Sequence, residues 1–592
     1  MPIALTYPGV YVQELPNPVQ PIVGVPTSVA AFVGLAPQGV VDYPFQVNCW
    51  GDYENQFGGL SSQWPLSYAV YMFFLNGGAT ALVVRNNNPA DTVNYSIASV
   101  TLEPGASSSS SSSGASSSSG ASSSSSSGAS SSSGASSSSG ASSSSSSSAP
   151  LSPITLYASS PGQWGTQLWA TVDTQNLFNP ATQFNLTIRQ VQDGAVVSQE
   201  VYTGASLQAN TPQYLPTLLA ASQLVTLVDP TGTNSEPTGG WALPGATPAT
   251  TTVPGTGSPP TVPELPGVNF TGQPQNPPAA DAPPIPLGDQ GKKTGIYALM
   301  KADIFNILCL PTVPAQPWGD PALVSDILDG ATQFCVQQRA MLIVDPPSTW
   351  VNVPLDFNTI LTSPALSPSS PNAAVYYPNL VLTDNTGANF NAGPCGAVAG
   401  VWAATDSSRG VWKAPAGTAA TITGIAGFSA PGQSPNSAGV SVSDDESGTL
   451  NPLAINALRT MPLVGPVVWG SRTTVGADQT PNQWKYVPVR RLALYIEESL
   501  RRGTQWAVFE PNDEPLWSSL RLNVTTFMQG LFSQGAFQGS TPADAYLVQC
   551  DANNNPQAQI DLGIVNILVG FAPLYPAEFV LISIQQQQPG QS

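Results

Sequence analysis

The core of this chain begins with the apolar run Val29-Ala30-Ala31-Phe32-Val33-Gly34, and a second run of the same kind follows at Ala81-Leu82-Val83-Val84-Arg85. Between them, residues 66–75 have the composition and length of a helix that ends at Gly77-Gly78. Strands that are apolar on both faces and alternate with helices are typical of a parallel sheet that is covered on both sides. This stretch therefore predicts a βαβ unit and an α/β core.

The same alternation returns further along the chain. Residues 304–310 and 340–345 predict two more apolar strands, with a helix over 323–337 between them. We therefore expect one α/β middle domain formed from 28–100 and 291–448.

The residues between these two halves have a different composition. Gln167–Val172 and Phe184–Val191 alternate in the manner of half-buried strands, so 101–290 is predicted to be a β-rich inserted outer domain. It carries a serine-rich array at 105–148 and a proline-rich stretch at 230–286, and both compositions predict irregular, solvated loops.

The last third predicts an α+β domain over 449–577. Two amphipathic helices are expected at Pro488–Arg502 and Pro515–Phe532, and strands at Ala545–Cys550 and Ile560–Phe571. On the first helix, the charge spacing predicts i,i+4 pairs of Glu497 with Arg501 and of Glu498 with Arg502.

Both ends of the chain are predicted to be extended arms, at 1–27 and 578–592. Residues 6–14 favour a short strand, and the prolines that follow cannot continue it into a helix. The closing run 578–584 is apolar on both faces and must be covered, because an exposed edge of this kind aggregates. Two fates remain open for the arms, namely folding back onto their own domain or pairing with a sheet in another subunit.

The composition excludes several classes of function. The chain has no histidine, so it lacks the usual general base near neutral pH and the commonest zinc ligand. It has 16 basic and 35 acidic residues, and its net charge of −19 argues against a nucleic-acid partner. We expect no enzyme activity, no cofactor and no metal.

Cysteine usage and hydropathy indicate the compartment of assembly. The five cysteines, at 49, 309, 335, 395 and 550, form no CxxC pair and are predicted to be buried, reduced thiols. No secretory signal and no run of about 18 apolar residues is present. We therefore expect assembly in the bacterial cytoplasm and no direct insertion into a membrane.

Three other motifs have simpler explanations. Gly291-Lys292-Lys293-Thr294 departs from the phosphate-loop pattern, since Pro286 and Lys293 stand where a glycine and a hydroxyl residue are needed. Asp444-Asp445-Glu446 is interpreted as a solvated turn. Trp402, Trp412 and Trp469 are interpreted as packing residues.

Two blocks of unusual composition stand in the last third of the chain. The first runs Gly393-Pro394-Cys395-Gly396-Ala397-Val398-Ala399-Gly400-Val401-Trp402 and continues through Arg409-Gly410-Val411-Trp412-Lys413-Ala414-Pro415-Ala416. The second comprises Leu450-Asn451-Pro452, Asn456, Arg459 and Val468-Trp469-Gly470-Ser471-Arg472-Thr473. Neither is built like a catalytic motif, and both resemble stretches of contractile tail sheath proteins from phage tails and related bacterial injection systems.

Other stretches resemble the same family and occur in the same order. They are the opening Tyr7–Glu14, the domain entry Pro26–Gly34, and two stretches similar to family turns, Ser160–Gly165 and Ala374–Pro378. The serine-rich and proline-rich stretches depart from the family pattern.

The resemblance implies a structural subunit whose terminal arms add strands to sheets in neighbouring subunits. It implies a helical homopolymer of stacked six-fold rings around an inner tube, attached to baseplate and terminator proteins, which contracts without nucleotide hydrolysis. The residues implied to carry the arm contacts are Tyr7, Val10, Tyr11, Val12, Glu14, Phe579, Val580, Leu581, Ile582 and Ile584. The candidates for gripping the inner tube are Arg490, Arg491, Glu497, Glu498, Arg501 and Arg502, for which a solvated helix face is the alternative.

The sequence leaves two questions open. A surface adhesin or receptor-binding protein would have a similar acidic, Ser/Thr/Pro-rich composition, although it would normally carry an export signal. The resemblance also does not distinguish a phage tail from a phage-free injection system.

Overall fold

A computed structural model of the chain describes residues 21–62, 64–86, 97–102, 152–160, 162–192, 195–228, 241–244, 268–269, 287–311, 321–347, 350, 369–431, 433–436, 439–579 and 581. The described residues form two compact units, one within Asn94–Gln275 and the other within Met1–Val93 and Asn276–Ser592.

The described strands, in chain order, are β1 (Ala30–Gly34), β2 (Phe45–Val47), β3 (Ala81–Arg85), β4 (Ser99–Leu102), β5 (Ile154–Ala158), β6 (Leu168–Asp173), β7 (Gln183–Gln192), β8 (Ala195–Ser206), β9 (Val225–Thr226), β10 (Val268–Asn269), β11 (Ile307–Cys309), β12 (Met341–Val344), β13 (Ala373–Tyr377), β14 (Asn379–Thr383), β15 (Asn389–Ala392), β16 (Gly427–Ser429), β17 (Ile455–Met461), β18 (Gly465–Val468), β19 (Tyr546–Gln549) and β20 (Leu568–Phe571).

The described α-helices are α1 (Trp50–Phe57), α2 (Pro65–Leu75), α3 (Leu215–Leu219), α4 (Pro321–Gln338), α5 (Cys395–Arg409), α6 (Asp444–Leu450), α7 (Val487–Gly503), α8 (Glu514–Ser533), α9 (Pro542–Ala545) and α10 (Gln557–Ile560). Among these helices, none combines the length and the apolarity that a membrane span requires.

The larger unit is built around a mixed sheet whose described strands pair in the order β18-β17-β13-β12-β11-β1-β3-β2. The strands from β17 to β3 run parallel, while β18 and β2 pair antiparallel at the two ends. Ala30 is in register with Ala81 on one side and with Ile307 on the other. The predicted βαβ unit, with α2 as its crossover helix, and the mixed α/β class are confirmed.

The central strands are apolar on both faces because each face has its own core. Ala30 and Phe32 belong to one buried cluster, together with residues of α2 and α5. Ala31 and Val33 belong to a second cluster on the opposite face, with residues of α4. All four side chains are fully buried, which explains why the strand lacks the alternation of a half-solvated sheet.

The first motif block forms α5, and its small residues allow α5 to pack closely against α2. A β-carbon at Gly396 would lie 2.2 Å from the carbonyl oxygen of Ala69, and one at Gly400 would lie 2.6 Å from that of Phe73. These glycines are one turn apart, so they face α2 together. The carboxylate of Asp345, which follows β12, accepts a hydrogen bond of 2.8 Å from the backbone N–H of Cys395 at the helix start.

Two stretches that resemble family turns differ in structure. Ser160–Gly165 leads into a short 3-10 helix that begins at Gln163. The prediction of a turn at Ala374–Pro378 is wrong, since Ala373–Tyr377 is the buried strand β13. Its side chains are all buried, and its apolar, β-branched and aromatic composition suits the centre of a sheet.

The unit within Asn94–Gln275 is mainly β-structure. Its described strands form two sheets, in the orders β10-β6-β7-β8 and β4-β5-β9. The expected strands at 167–172 and 184–191 correspond to β6 and β7, and β6 shows the predicted alternation of buried and half-buried side chains. The serine-rich array lies outside the described residues, as does most of the proline-rich stretch, and the predicted domain boundaries stay predictions.

The C-terminal helices α7 and α8 confirm the two predicted helices to within one residue at each end. The predicted strand Ile560–Phe571 is wrong over residues 560–567, because α10 ends at Ile560 and β20 begins only at Leu568. Gly563 adopts a left-handed conformation (φ 72°), and the side chain of Asn555 accepts a 2.6 Å hydrogen bond from the backbone N–H of Asn566. These local contacts hold the segment as a loop although its residues are apolar.

We predict that Gly396→Ala destabilises the chain by about 1–3 kcal/mol, because the added methyl group would meet the backbone of α2. Urea unfolding followed by tryptophan fluorescence measures the effect. The matched control is Gly530→Ala in α8, where nothing lies within 4 Å of the added β-carbon. It should be neutral or stabilise by up to about 1 kcal/mol, and equal losses in the two variants would contradict the close packing of α5 on α2.

Candidate functional site

The two motif blocks meet in one cleft of about 1060 Å³. The third side of this cleft is the segment Leu574–Phe579, which directly precedes the predicted C-terminal arm. The residues that the two blocks contribute are Arg409, Trp412, Lys413, Ala414, Ala416, Asn451, Pro452, Arg459, Trp469, Gly470 and Ser471. The sequence analysis singled out both blocks but did not predict that they share a surface.

Arg472 of the second block is held in place by Asn456 on β17. The Asn456 side-chain amide donates to the carbonyl oxygens of Val375 (3.0 Å) and Arg472 (2.8 Å), and its oxygen accepts from the backbone N–H of Arg472 (2.7 Å). Both residues are almost completely buried. Asn456 therefore joins the loop that carries Arg472 to the edge of the parallel strands.

The Arg472 guanidinium anchors Glu578, the first residue of the predicted C-terminal arm. Its Nε donates to Glu578 Oε1 at 2.8 Å, and its Nη2 donates to the other carboxylate oxygen, so the contact is bidentate. Its Nη1 donates to Asp478 Oδ1 (3.0 Å) and to the carbonyl oxygen of Asn451 (2.7 Å). Burial disfavours the charged form, but the bonds to Glu578 outweigh it and raise the pKa of Arg472.

Directly beyond this anchor the chain is exposed. Glu578 also accepts a hydrogen bond from the Tyr486 hydroxyl (3.2 Å), whereas Phe579 and Leu581 are 80% and 93% exposed. The described residues 572–579 and 581 form no strand. Val580, Ile582 and Ile584 of the predicted arm lie outside the described residues, as do Tyr7, Val10, Tyr11, Val12 and Glu14 of the N-terminal arm.

The cations of the cleft differ in how they are paired. Arg459 forms an ion pair with Asp444 (2.7 Å) and lies 6.0 Å above the ring of Trp469. The Asp444 side chain is solvated as predicted, at 91% exposed, but the prediction of a turn is wrong. Asp444 begins α6, where Ser443 and Glu446 form a capping box.

Arg409 and Lys413 have no carboxylate partner among the described residues. Lys413 Nζ donates to the carbonyl oxygen of Ala414 at 2.8 Å, and burial, reinforced by the charge of Arg409, lowers the pKa of Lys413. The three carboxylates that line the cleft are already paired, Asp444 with Arg459, and Asp478 and Glu578 with Arg472. The cleft thus carries two positive charges that its own acidic groups do not neutralise.

The tube-contact candidates on α7 are mostly engaged within the chain. Arg491 is buried in an ion pair with Asp406 of the first block (Nη1 to Oδ1, 2.8 Å) and stacks 4.8 Å from the ring centre of Trp402. Arg490 lies 4.9 Å from the ring of Trp484. These two arginines hold α7 against its own unit.

The other four candidates form a network at the C-terminal end of α7. Glu498 is buried and accepts hydrogen bonds from Arg501 (2.8 Å) and Arg502 (2.7 Å), so the predicted pair with Arg502 is confirmed. The predicted pair of Glu497 with Arg501 is wrong, since Glu497 faces Arg490 and Arg339 instead. Glu497 and Arg501 keep 46% and 45% of their side chains exposed, and contact of this face with a tube stays a prediction.

The first described residues of the N-terminal segment also pack on α7. Ile22 lies against Gly503, the N–H of Val25 donates to the Ser499 hydroxyl (3.2 Å), and Arg491 donates to the carbonyl oxygen of Thr27 (2.9 Å). Ile22 belongs to the same apolar cluster as Trp412. The N-terminal segment therefore enters its domain close to the first motif block.

The hairpin of β19 and β20 is a two-stranded sheet among the described residues. Val548, Val569 and Phe571 pack toward α8, whereas Leu547 and Leu568 are 54% and 52% exposed. Two-stranded sheets are marginally stable and have two open edges.

The cysteines and tryptophans agree only in part with their predictions. Cys309, Cys335, Cys395 and Cys550 are buried free thiols, but Cys49 is exposed, because it directly precedes α1 at the surface. Trp402 is fully buried and Trp412 packs against a core cluster, while Trp469 is 38% exposed in the cleft.

Within the described ranges, no group of three or more acidic or cysteine side chains could hold a metal ion.

The sequence analysis missed the role of Glu578. A signal for it exists, because Glu578 is the only charged residue after Asp561. A single carboxylate in an apolar terminal stretch needs a cationic partner if it is buried, and the second motif block supplies one.

Comparisons with known proteins agree with this architecture. Residues 479–587 match the family model of the phage tail sheath C-terminal domain. A tail sheath protein of Salmonella phage ViI is 25% identical over 197 residues, which are 33% of this chain and 28% of that protein. The chain therefore spans less than a third of the length of that relative.

Solved structures show the same fold. The sheath tail protein of Listeria innocua has a TM-score of 0.52 at 12% identity, covering 94% of this chain and 97% of its own. The contracted helical sheath of the anti-feeding prophage has a TM-score of 0.50 at 19% identity, covering 99% of this chain and 100% of its own. Residues 479–587 are thus similar to the tail sheath C-terminal domain, and the whole chain is similar in fold to sheath proteins.

We predict that Arg472→Ala destabilises the chain by about 3–5 kcal/mol, since it leaves the mostly buried Glu578 without its cationic partner, whereas Asp478 keeps its ion pair with Lys485. It should also speed amide hydrogen exchange over 574–579. The control is Asp303→Asn, which removes one of the two carboxylate partners of Arg502, at a side chain that is 83% exposed, and should cost less than about 1 kcal/mol. Unchanged exchange at 574–579 would contradict the anchoring role of Arg472.

We predict that the Glu498 network makes stability depend on pH. Burial opposes ionisation, but the bonds from Arg501 and Arg502 prevail and lower the pKa of Glu498 from 4.5 to about 2. Its stabilising contribution is therefore complete above pH 4.5 and is lost as the pH falls toward about 2. Urea unfolding across this window should show a smaller acid loss in Glu498→Gln than in the parent, whereas Glu510→Gln, at an exposed position, should behave like the parent.

Proposed function

We propose that this chain is a structural subunit of a contractile sheath, which polymerises into a helical tube around an inner tube. Contraction of the sheath would drive the inner tube through a target envelope. The tail sheath domain at 479–587 supports this proposal. The observation that carries it is the anchored base of the C-terminal arm, with apolar exposed residues directly beyond.

The arm base is built to hold a segment that leaves the domain. Arg472 fixes Glu578 with a bidentate contact, and the sequence that follows is Phe579-Val580-Leu581-Ile582-Ser583-Ile584. An apolar run of this kind must be covered by another surface, or it aggregates. A neighbouring copy of the chain provides such a surface in a sheath.

The hairpin β19–β20 is the acceptor in this proposal. An extended segment can pair with an open edge of the hairpin through its backbone, as in β-strand addition. Each backbone hydrogen bond contributes only about 0.5–1.5 kcal/mol net, but arms at both ends of every subunit repeat the contact throughout the polymer.

Arm exchange of this kind is heterologous, so it generates a helix rather than a closed pair. A sheath of linked subunits can change between two packings without dissociating, and the energy difference between them, stored at assembly, drives contraction without nucleotide hydrolysis. We propose that the exposed side of α7, with Glu497 and Arg501, contacts the inner tube. Baseplate and terminator proteins complete the particle, which assembles in the bacterial cytoplasm.

Deletion of residues 1–15 should leave a folded monomer that no longer forms tubes, because the arm that links subunits is gone. Negative-stain electron microscopy of the purified chain, alone and with a co-expressed tube protein, is the measurement. Deletion of 105–148, which removes the serine-rich array, is the matched control and should retain tubes. Tubes of normal length from the deletion of residues 1–15 would overturn the arm model.

A further inference from the structure

The cleft between the two motif blocks holds an unmatched positive charge. Arg409 and Lys413 line it, and each lacks a carboxylate partner among the described residues, while Asp444, Asp478 and Glu578 are paired with other cations. Trp412 and Trp469 supply apolar walls. A cleft of this composition fits an extended apolar segment that carries one carboxylate.

One segment of the chain has this composition. Residues 1–20 contain a single charged side chain, Glu14, which lies within the apolar stretch Tyr11-Val12-Gln13-Glu14-Leu15. Residues 582–592 contain no charged side chain. If an arm is buried against another subunit, an unpaired Glu14 would be costly, so it requires a cation at its destination.

The position of the segment is compatible with this destination. Ile22 packs in the apolar cluster that includes Trp412, and the same cluster includes Tyr546, Val569 and Phe571 of the hairpin. A segment added to the hairpin edge thus lies next to the first motif block. The eight residue-to-residue steps from Glu14 to Ile22 span up to about 26 Å when extended, which gives the arm the reach to leave its own domain.

We infer that the cleft is a docking site for the N-terminal arm of a second copy of this chain, in which Glu14 binds between Arg409 and Lys413. The inference deepens the proposed function, on which it rests. It assigns the first motif block the role of fixing the register of the arm, because backbone pairing alone does not specify which residues face each other. The ion pair supplies that specificity.

Charge exchange between copies tests the docking site. Glu14→Lys and Lys413→Glu should each raise the protein concentration needed for tube formation by at least about tenfold. An equimolar mixture of the two single variants should assemble like the parent when the variants alternate. The arm of the Lys413→Glu variant then meets an unaltered cleft, and the arm of the Glu14→Lys variant meets the carboxylate introduced at position 413. Lys292→Glu, at an exposed lysine outside the cleft, should assemble normally.

The outcomes separate a contact between copies from one within a copy. If the double variant Glu14→Lys/Lys413→Glu assembles but the mixture does not, Glu14 binds the cleft of its own chain and the inference is overturned. Normal assembly of both single variants, with tubes still lost on deletion of 1–15, overturns the docking site and leaves the proposed function standing. Failure of the parent chain to form tubes, with or without a tube protein, overturns both.

A second measurement does not depend on the fold tolerating a charge reversal. Carbodiimide joins a carboxylate and an amine only when they are in contact, so parent tubes should yield a cross-linked peptide between Glu14 and Lys413. Lys413→Arg keeps the positive charge but has no amine that carbodiimide can couple, so it should lose this cross-link. A cross-link of Lys413 to a different carboxylate, such as Glu510, would identify another occupant and refute the assignment.

Discussion

The buried guanidinium of Arg472 is the interaction on which the C-terminal half of the molecule depends. A buried cation must have its hydrogen-bond donors satisfied. The Arg472 donors bind Asn451, Asp478 and Glu578, which belong to three different segments of the chain. Asn456 ties the same loop to β13 and β17. One side chain thus connects the central sheet, the cleft and the base of the predicted C-terminal arm, and it fixes Glu578, directly beyond which Phe579 and Leu581 are exposed.

Much of the fold could be predicted from local pattern. The central strands are apolar on both faces, and a segment such as Ala30–Gly34 can satisfy that pattern only inside a covered parallel sheet. The helices α7 and α8 have strong periodicity and proline near their starts. The failure at Ile560–Phe571 has a different origin, since side-chain amides such as Asn555 and Asn566 hold that loop, and an apolar run does not reveal such contacts.

The candidate site was less accessible from sequence, because its key contacts join residues far apart in the chain. The spacing on α7 predicted local pairs, yet Arg491 binds Asp406 and Arg502 also binds Asp303. Composition identified both motif blocks but not what they do in the structure. The first block packs α5 on α2 through Gly396 and Gly400, and its C-terminal end lines the cleft. Glu578 was recognisable only as an isolated charge, and its partner, which lies 106 residues earlier, required the structure.

The distribution of charge offers a physical reason for the low content of ionisable residues. Nine of the 16 basic side chains form ion pairs within the described part of the chain, namely Arg339, Arg459, Arg472, Lys485, Arg490, Arg491, Arg501, Arg502 and Arg521. Ion pairs are thus concentrated within the folded part of the chain, and the segments proposed to link subunits are almost uncharged. Backbone pairing and apolar contacts cost little free energy when neighbouring subunits rotate slightly. In an interface held by many ion pairs, the same rotation would break those ion pairs. The proposed sheath would change between two packings, which requires folded subunits with adaptable connections, and this division of charge suits both requirements.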